Sequence, residues 1–144
     1  MKAKGYGIVS GDGDIWHAVE NSSDKGWIVD GKLNIDPKRE EFLDLSKKLK
    51  DNGYHNDTQD WQDAWFADME GEGEQPVFGF FGPAWLINYT LAPNCGGEKP
   101  GEGTYGDWAV CTPPIGFFWG GTWVLANKNT EKAEAVGEII KWIT

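Results

Sequence analysis

The sequence predicts an α/β fold, in which a mixed sheet is flanked by helices within one domain spanning residues 1–144. Short apolar runs alternate along the chain with longer amphipathic segments, a pattern typical of strands followed by helices. The chain has 144 residues, which is enough to bury one core but too few for two comfortable ones. Neither an internal repeat nor a linker-like stretch divides it. We therefore expect a single α/β lobe.

Strands are predicted where short apolar runs are bounded by Gly, Pro or Asp. Residues 5–10 and 76–81 fit this pattern. Residues 27–35 predict a hairpin, because Asp30-Gly31 suits a type I′ turn between two apolar runs. The segments YGDWAVCTPP (105–114) and FFWGGTWVLA (117–126) are predicted to form two further strands.

Amphipathic segments that begin with capping residues predict the helices. The clearest covers residues 37–52, because Asp36 is a good N-cap and Pro37 suits the first turn. The other helices are predicted at residues 14–21 (capped by Asp12 or Asp14), 59–69 (capped by Thr58) and 83–91, and near the C-terminus (capped by Asn129 or Thr130).

The charge of the chain argues against two classes of partner. Its formal net charge of −10 at pH 7 would repel nucleic acid and anionic lipid. No apolar run approaches the roughly 20 residues of a membrane-spanning helix, and the opening MKAKGYGIVSG lacks the hydrophobic stretch of a signal peptide. We expect a soluble monomer that binds no nucleic acid.

The two cysteines, Cys95 and Cys111, leave two alternatives open. Their spacing fits no zinc pattern, since the chain has no CxxC and both histidines lie far from them in sequence. A disulfide between them would close a loop of about 15 residues and contribute on the order of 3 kcal/mol. Two buried free thiols are the alternative. We expect neither a metal nor a cofactor.

Nine tryptophans in a chain of this size raise the expectation of a surface that uses aromatic faces. Five of them are predicted to belong to the core. Trp61 and Trp65 recur at helical spacing, and Trp27, Trp108 and Trp142 alternate with apolar neighbours.

Three other tryptophans, Trp16, Trp85 and Trp119, lie where a predicted element meets a loop that contains Gly, Pro or Asp. Element ends at a shared sheet edge are where α/β folds place their ligands. Indole faces there can stack on the apolar face of a sugar ring, while carboxylates and free helix N–H groups bond to its hydroxyls. The candidate ligand-binding residues are Asp12, Asp14, Trp16, Trp85, Trp119, Gly120 and Gly121.

Other motifs are weak. GEGTYG (101–106) matches a dinucleotide fingerprint as a string, but it follows a proline-rich loop and precedes a predicted strand, the reverse of the required context. The DGD at 12–14 lacks the remaining oxygens of a calcium loop. No Ser-His or Cys-His arrangement has a local signature, and no carboxylate pair stands out as a glycosidase dyad. We therefore expect a binding protein and not an enzyme.

The order of several segments resembles the extracellular solute-binding proteins of bacterial ABC transporters, in particular the carbohydrate-binding family that includes maltose-binding protein. The segments are DPKREEFLDLSKKLKDNGY, DAWFADMEGEG, VFGFFGPAWLINYTL, GDWAVCTPP, WGGTWVLANKN and EKAEAVGEIIKWIT. Those proteins have two α/β lobes joined by hinge strands, and this chain resembles the second, C-terminal-type lobe alone. It departs from the family where Ala84 separates Pro83 from Trp85.

The resemblance implies capture of a sugar between two closing lobes and its delivery to a membrane permease of the ABC transporter. It also implies that the parent protein is extracellular, either anchored to the membrane as a lipoprotein or periplasmic. Gly120 and Gly121 would let the ligand approach the backbone, with Trp119 against the sugar and Trp123 in the core. The rival interpretations are a stand-alone lectin-like module and a fragment of a glycoside hydrolase.

Overall fold

The computed structural model describes residues 1–121 and 124–144 and has a mixed α/β fold with two small sheets. Strand β1 (Gly7–Val9) pairs in parallel with β4 (Val77–Gly79), and β2 (Ile28–Val29) pairs antiparallel with β3 (Lys32–Leu33). The helices are α1 (Gly13–Asn21), α2 (Pro37–Asp51), α3 (Asp63–Glu70), α4 (Ala84–Leu86) and α5 (Ala133–Ile143). A π-helical turn (Ile87–Leu91) and a 3-10 turn (Ala92–Asn94) continue α4.

The parallel pair brings three loops to one edge of the fold. Gly7 lies opposite Val77 and Val9 opposite Gly79, and Val9 also forms a parallel bridge with His55 on its other side. Because parallel segments end at the same edge, the chain leaves this edge in the loops 10–12, 56–62 and 80–83. The candidate site lies between the start of α1, which follows the loop 10–12, and the loop 56–62.

The core lies against the same loops. Trp65 and Met69 of α3 are fully buried together with Leu86 of α4. Their spacing of four residues on α3 is the spacing that the sequence predicted for a core-facing helix side. Phe66, Phe80 and Leu91 pack around this cluster.

A buried carboxylate connects the core to the loops. Asp68 of α3 accepts hydrogen bonds from the hydroxyl of Ser10 and from the side-chain amide of Asn56, whose nitrogen lies 2.5 Å from a carboxylate oxygen. The same amide also donates to the carbonyl of Gln75 at 2.9 Å. The backbone N–H of Asn56 donates to the carbonyl of Ser10 at 3.0 Å. Loops 10–12 and 56–62 are therefore tied both to α3 and to each other.

Several locally encoded elements follow the sequence prediction. The carboxylate of Asp36 accepts a hydrogen bond from the N–H of Lys38 at 2.9 Å, as an N-cap before Pro37 should. The hairpin turn has φ values of 50° at Asp30 and 73° at Gly31, which a type I′ turn requires. These signals act over a few residues, so they survive in any tertiary context.

Other elements differ from the prediction. Among the described residues, 105–114 and 117–126 contain no strand, so the parallel sheet has two strands and the predicted larger mixed sheet is not formed. Trp123 lies outside the described residues. Helix α3 begins at Asp63 and not after Thr58, because Trp61 has a φ of 66° that no right-handed helix accepts. Lys132 occupies the N-cap position of α5 and forms no capping bond.

The predicted burial of the tryptophans is correct for Trp65 and wrong for three others. Trp142 is 87% exposed on α5, and Trp27 and Trp61 are both more than 40% exposed. Trp27 packs beneath the guanidinium of Arg39, whose central carbon lies 4.0 Å from the ring centroid. Trp108 is half-buried and donates its indole N–H to Thr104 at 2.8 Å. Regular apolar spacing therefore did not distinguish buried indoles from exposed ones.

The two cysteines are free thiols in the part of the chain that the structure describes, so the disulfide alternative is not realised there. Cys95 is buried, whereas Cys111 is exposed. Within the described ranges, no helix is both long and apolar enough to cross a bilayer.

Replacing Asp68 with Ala should lower the free energy of unfolding by about 2–4 kcal/mol, because the buried hydroxyl of Ser10 and the half-buried amide of Asn56 both lose a carboxylate acceptor. Urea denaturation followed by tryptophan fluorescence measures this change. Glu41→Ala on the exposed side of α2 is the matched carboxylate control and should change stability by less than about 0.5 kcal/mol. An equal effect of both variants would contradict a structural role for the Asp68 network.

Candidate ligand-binding site

A pocket of about 440 Å³ opens at the edge where the parallel strands end. It is formed by the first turn of α1 and by the loop 56–62. Its lining residues are Asp12, Gly13, His17, Asp57, Thr58, Gln59, Asp60 and Trp61. Polar oxygens and one indole therefore converge where an open α/β sheet normally binds its ligand.

The loop 56–62 carries backbone strain that places an indole at the pocket. Trp61 has a φ of 66° and Asp57 a φ of 56°, conformations that bulky L-residues rarely adopt. The Trp61 ring stacks on Trp85 at a centroid distance of 6.0 Å and an interplanar angle of 25°. The centroid of the Trp61 ring also lies 5.0 Å from that of the buried Trp65, with the two rings tilted by 49°. The positive φ of Trp61 thus directs its indole toward the surface, where it stacks on Trp85.

Asp60 lies against the first turn of α1. A Cβ atom at Gly13 would come within 2.8 Å of both Asp60 carboxylate oxygens, so a larger residue there would require the Asp60 side chain to shift. The Asp60 side chain is 10% exposed, and its Oδ1 has no hydrogen-bond partner among the described residues. Its Oδ2 lies 3.8 Å from Nε2 of His17. Burial raises the pKa of the Asp60 carboxyl, with His17 opposing the rise and Asp12 adding to it.

Asp14 lies one residue further along α1 and is fully buried. Neither of its carboxylate oxygens has a hydrogen bond of normal geometry within the described part of the chain. Burial raises the pKa of Asp14 to about 7, and the negative charge of Asp60 adds to the rise. The nearby indole N–H of Trp65 and backbone N–H of Phe81 oppose it more weakly. Asp14 is thus a buried acid next to the pocket and does not line it.

Asp12 occupies the N-cap position of α1, as one of the two predicted alternatives, but its side chain does not bond to the helix. The carboxylate instead accepts a hydrogen bond from the hydroxyl of Ser46 on α2. This contact fixes Asp12 at the rim of the pocket and ties α1 to α2.

The three tryptophans predicted to form one cluster are separate, since no ring contact within the described residues joins any two of them. Trp16 packs against Phe42 at 5.1 Å and Trp27 at 6.3 Å, away from the pocket. Trp85 is placed beside the pocket by Trp61. Trp16 therefore packs on the side of α1 that faces α2 and does not line the pocket, and its predicted role in ligand binding stays a prediction.

Trp119 approaches the pocket through His17, whose ring centroid lies 4.4 Å from that of the indole. The backbone N–H of Phe118 donates to the carbonyl of Asn21 at 3.3 Å, which holds this segment against the end of α1. Gly120 and Gly121 follow with φ values of 92° and 101° and are exposed. Their positive φ values account for the glycines, and their predicted role in ligand approach stays a prediction.

The sequence reasoning missed His17, Asp60 and Trp61 as site residues. Trp61 was assigned to the core because it lies four residues before Trp65. A usable signal was present, because the polar run NDTQD separates the short segment at His55 from α3.

No metal site accompanies the pocket in the residues that the structure describes, where no group of three or more His, Cys, Asp or Glu side chains could hold an ion. Comparison of the chain with protein-family models, curated proteins and solved structures gave no match. The geometry of the pocket is therefore the structural basis for a functional proposal.

The stability of the protein should fall as the pH rises from about 4 to about 7 through the titration of Asp14. Because burial raises its pKa, the folded state holds a proton that the unfolded chain releases at lower pH. The stabilisation that Asp14 provides is fully present below the pKa of the unfolded chain, and it is lost as the pH rises through the folded-state pKa of about 7. Asp14→Asn, which stays neutral, should show a smaller loss of unfolding free energy between these pH values, by on the order of 2–4 kcal/mol.

Urea melts of both proteins across this range measure the difference. The pKa of Asp60 is raised and the pKa values of Asp36 and Asp57 are lowered in both proteins. Their effects on stability therefore largely cancel when the pH profile of the variant is subtracted from that of the wild type. Parallel pH profiles for the wild type and Asp14→Asn would contradict a raised pKa at Asp14.

Proposed function

We propose that this chain is the carbohydrate-binding lobe of a solute-binding protein that serves an ABC transporter. The observation that carries the proposal is the pocket at the carboxyl edge of the parallel strands, where the exposed indole of Trp61 adjoins Asp12, Asp60 and Gln59. The order of sequence motifs, which resembles that family, supports the same interpretation.

The pocket has the two kinds of surface that a sugar requires. A pyranose presents an apolar face that stacks on an aromatic ring, and the partly exposed indole of Trp61, which Trp85 supports by stacking, lines the pocket for this purpose. Its hydroxyls both donate and accept hydrogen bonds, which suits the carboxylates and the amide of Gln59. A wholly apolar ligand would leave these polar groups unpaired at a cost.

The pocket faces outward, so one lobe covers only one side of a bound sugar. In a two-lobed parent protein, hinge closure would bring a second surface over the ligand and exclude water. The closed form would then deliver the sugar to a permease at an extracellular or periplasmic membrane surface. On this proposal the isolated lobe binds its sugar weakly, with a dissociation constant near the millimolar range.

A panel of oligosaccharides added to the full chain tests the proposal, with binding followed by ligand-observed NMR and tryptophan fluorescence. Trp61→Ala should weaken binding of the best sugar by about tenfold or more, because it removes the stacking surface at the pocket. Trp142→Ala removes an exposed indole from α5, outside the pocket, and is the matched control. Its affinity should equal that of the wild type.

Two outcomes would overturn the proposal. One is the absence of binding by any sugar at concentrations well above the millimolar range. The other is an equal loss of affinity in Trp61→Ala and Trp142→Ala, which would place binding outside the pocket.

A further inference from the structure

We infer that the ligand of the pocket carries a protonated amine that pairs with Asp60, which makes an amino sugar the preferred substrate class. This inference rests on the proposed sugar-binding function and adds the chemical group that the site selects. It follows from the charges at the pocket, from the burial of Asp60 and from the neighbouring indole.

The acidic groups at the pocket differ in whether they have partners. The carboxylate of Asp57 pairs with the ammonium of Lys50 at 2.8 Å, and that of Asp12 accepts the hydroxyl of Ser46. Among the described lining residues, Asp60 alone has a buried carboxylate oxygen without a partner. Asp60 therefore lines the pocket with a carboxylate whose neighbours in the described residues leave one oxygen unpaired.

The burial of Asp60 makes this acceptor costly to leave unpaired. Its side chain is nine-tenths buried, and a carboxylate removed from water without a partner is strongly destabilised. A ligand group that supplies a positive charge and N–H donors would remove this penalty on binding. A neutral hydroxyl would supply only one weaker hydrogen bond.

The imidazole of His17, which lies near Asp60, forms no hydrogen bond with its carboxylate. Nε2 of His17 lies 3.8 Å from Oδ2, beyond hydrogen-bond distance, and the imidazole carries a charge only when protonated. Oδ1 of Asp60 has no hydrogen-bond partner among the described residues. Neither Lys nor Arg lines the pocket within the described residues.

A primary ammonium fits the site better than a metal ion does. The described residues contain no cluster of three or more ligating side chains that could hold a metal. An ammonium needs only one buried carboxylate and is attracted to the face of an indole, which Trp61 supplies at the adjacent position. A sugar ring with an amine substituent presents this charge together with the flat face that stacks.

Three trisaccharides of the same linkage test the inference, made respectively of glucosamine, N-acetylglucosamine and glucose. At a pH below the pKa of the sugar amine, the glucosamine trisaccharide should bind to the full chain at least about tenfold more tightly than either neutral one. Asp60→Asn should reduce this preference to less than about twofold. Asp24→Asn, on an exposed residue outside the pocket, is the matched control and should keep the preference.

A measurement on the wild type covers the case in which Asp60→Asn fails to fold. Added salt should weaken the glucosamine trisaccharide more than the glucose one, because salt screens an ion pair and not a stacking contact. Equal affinities for all three sugars, or equal salt dependence, would overturn this inference while leaving the proposed function intact. If none of the three binds but another neutral sugar does, only this inference fails, whereas the absence of binding by every sugar overturns both.

Discussion

The carboxylate of Asp68 holds together the segments from which the pocket is built. It lies on α3 next to the buried core and accepts hydrogen bonds from Ser10, just after β1, and from Asn56, at the start of the loop 56–62. Asp12 and Asp60 follow these two residues in sequence, so their positions depend on the same buried acceptor. Because Asp68 and Ser10 are buried, removing the carboxylate would leave the hydroxyl of Ser10 without this acceptor in the interior. Core packing and site geometry are thus coupled at one residue.

The loop 56–62 shows how this coupling produces a binding surface. Its first residues are fixed by Asp68 and its last residue precedes α3, so a short span must connect them through two residues with positive φ. This turn directs Trp61 outward onto Trp85, while Trp65, one helical turn later, remains in the core. Strain of this kind persists only where surrounding contacts determine it, and the buried network supplies those contacts.

The parts of the fold that sequence could predict are those encoded over a few residues. Asp36 with Pro37 and Asp30 with Gly31 specify a helix start and a hairpin turn wherever they occur. Asp12, one of the predicted binding residues, lines the pocket, because element ends can be read locally. The approach of Asp60 to Gly13 joins segments that are distant in sequence, and helical periodicity does not reveal the φ of 66° at Trp61. The contact of Trp16 with Phe42 on another helix is likewise not encoded locally.

Helix α5 is attached to the rest of the chain less firmly than the other long helices, because none of its side chains is buried. In the described residues it buries none of its side chains, and Ile139, Trp142 and Ile143 are exposed. A helix of eleven residues that fully buries none of its side chains gains little from tertiary packing and is marginal in water. Its amide hydrogens would therefore exchange with solvent through local fraying, whereas those of β1 and β4 would exchange only through opening of the core. The C-terminal helix and the pocket-bearing region would thus form separate cooperative units, with the ligand protecting only the second.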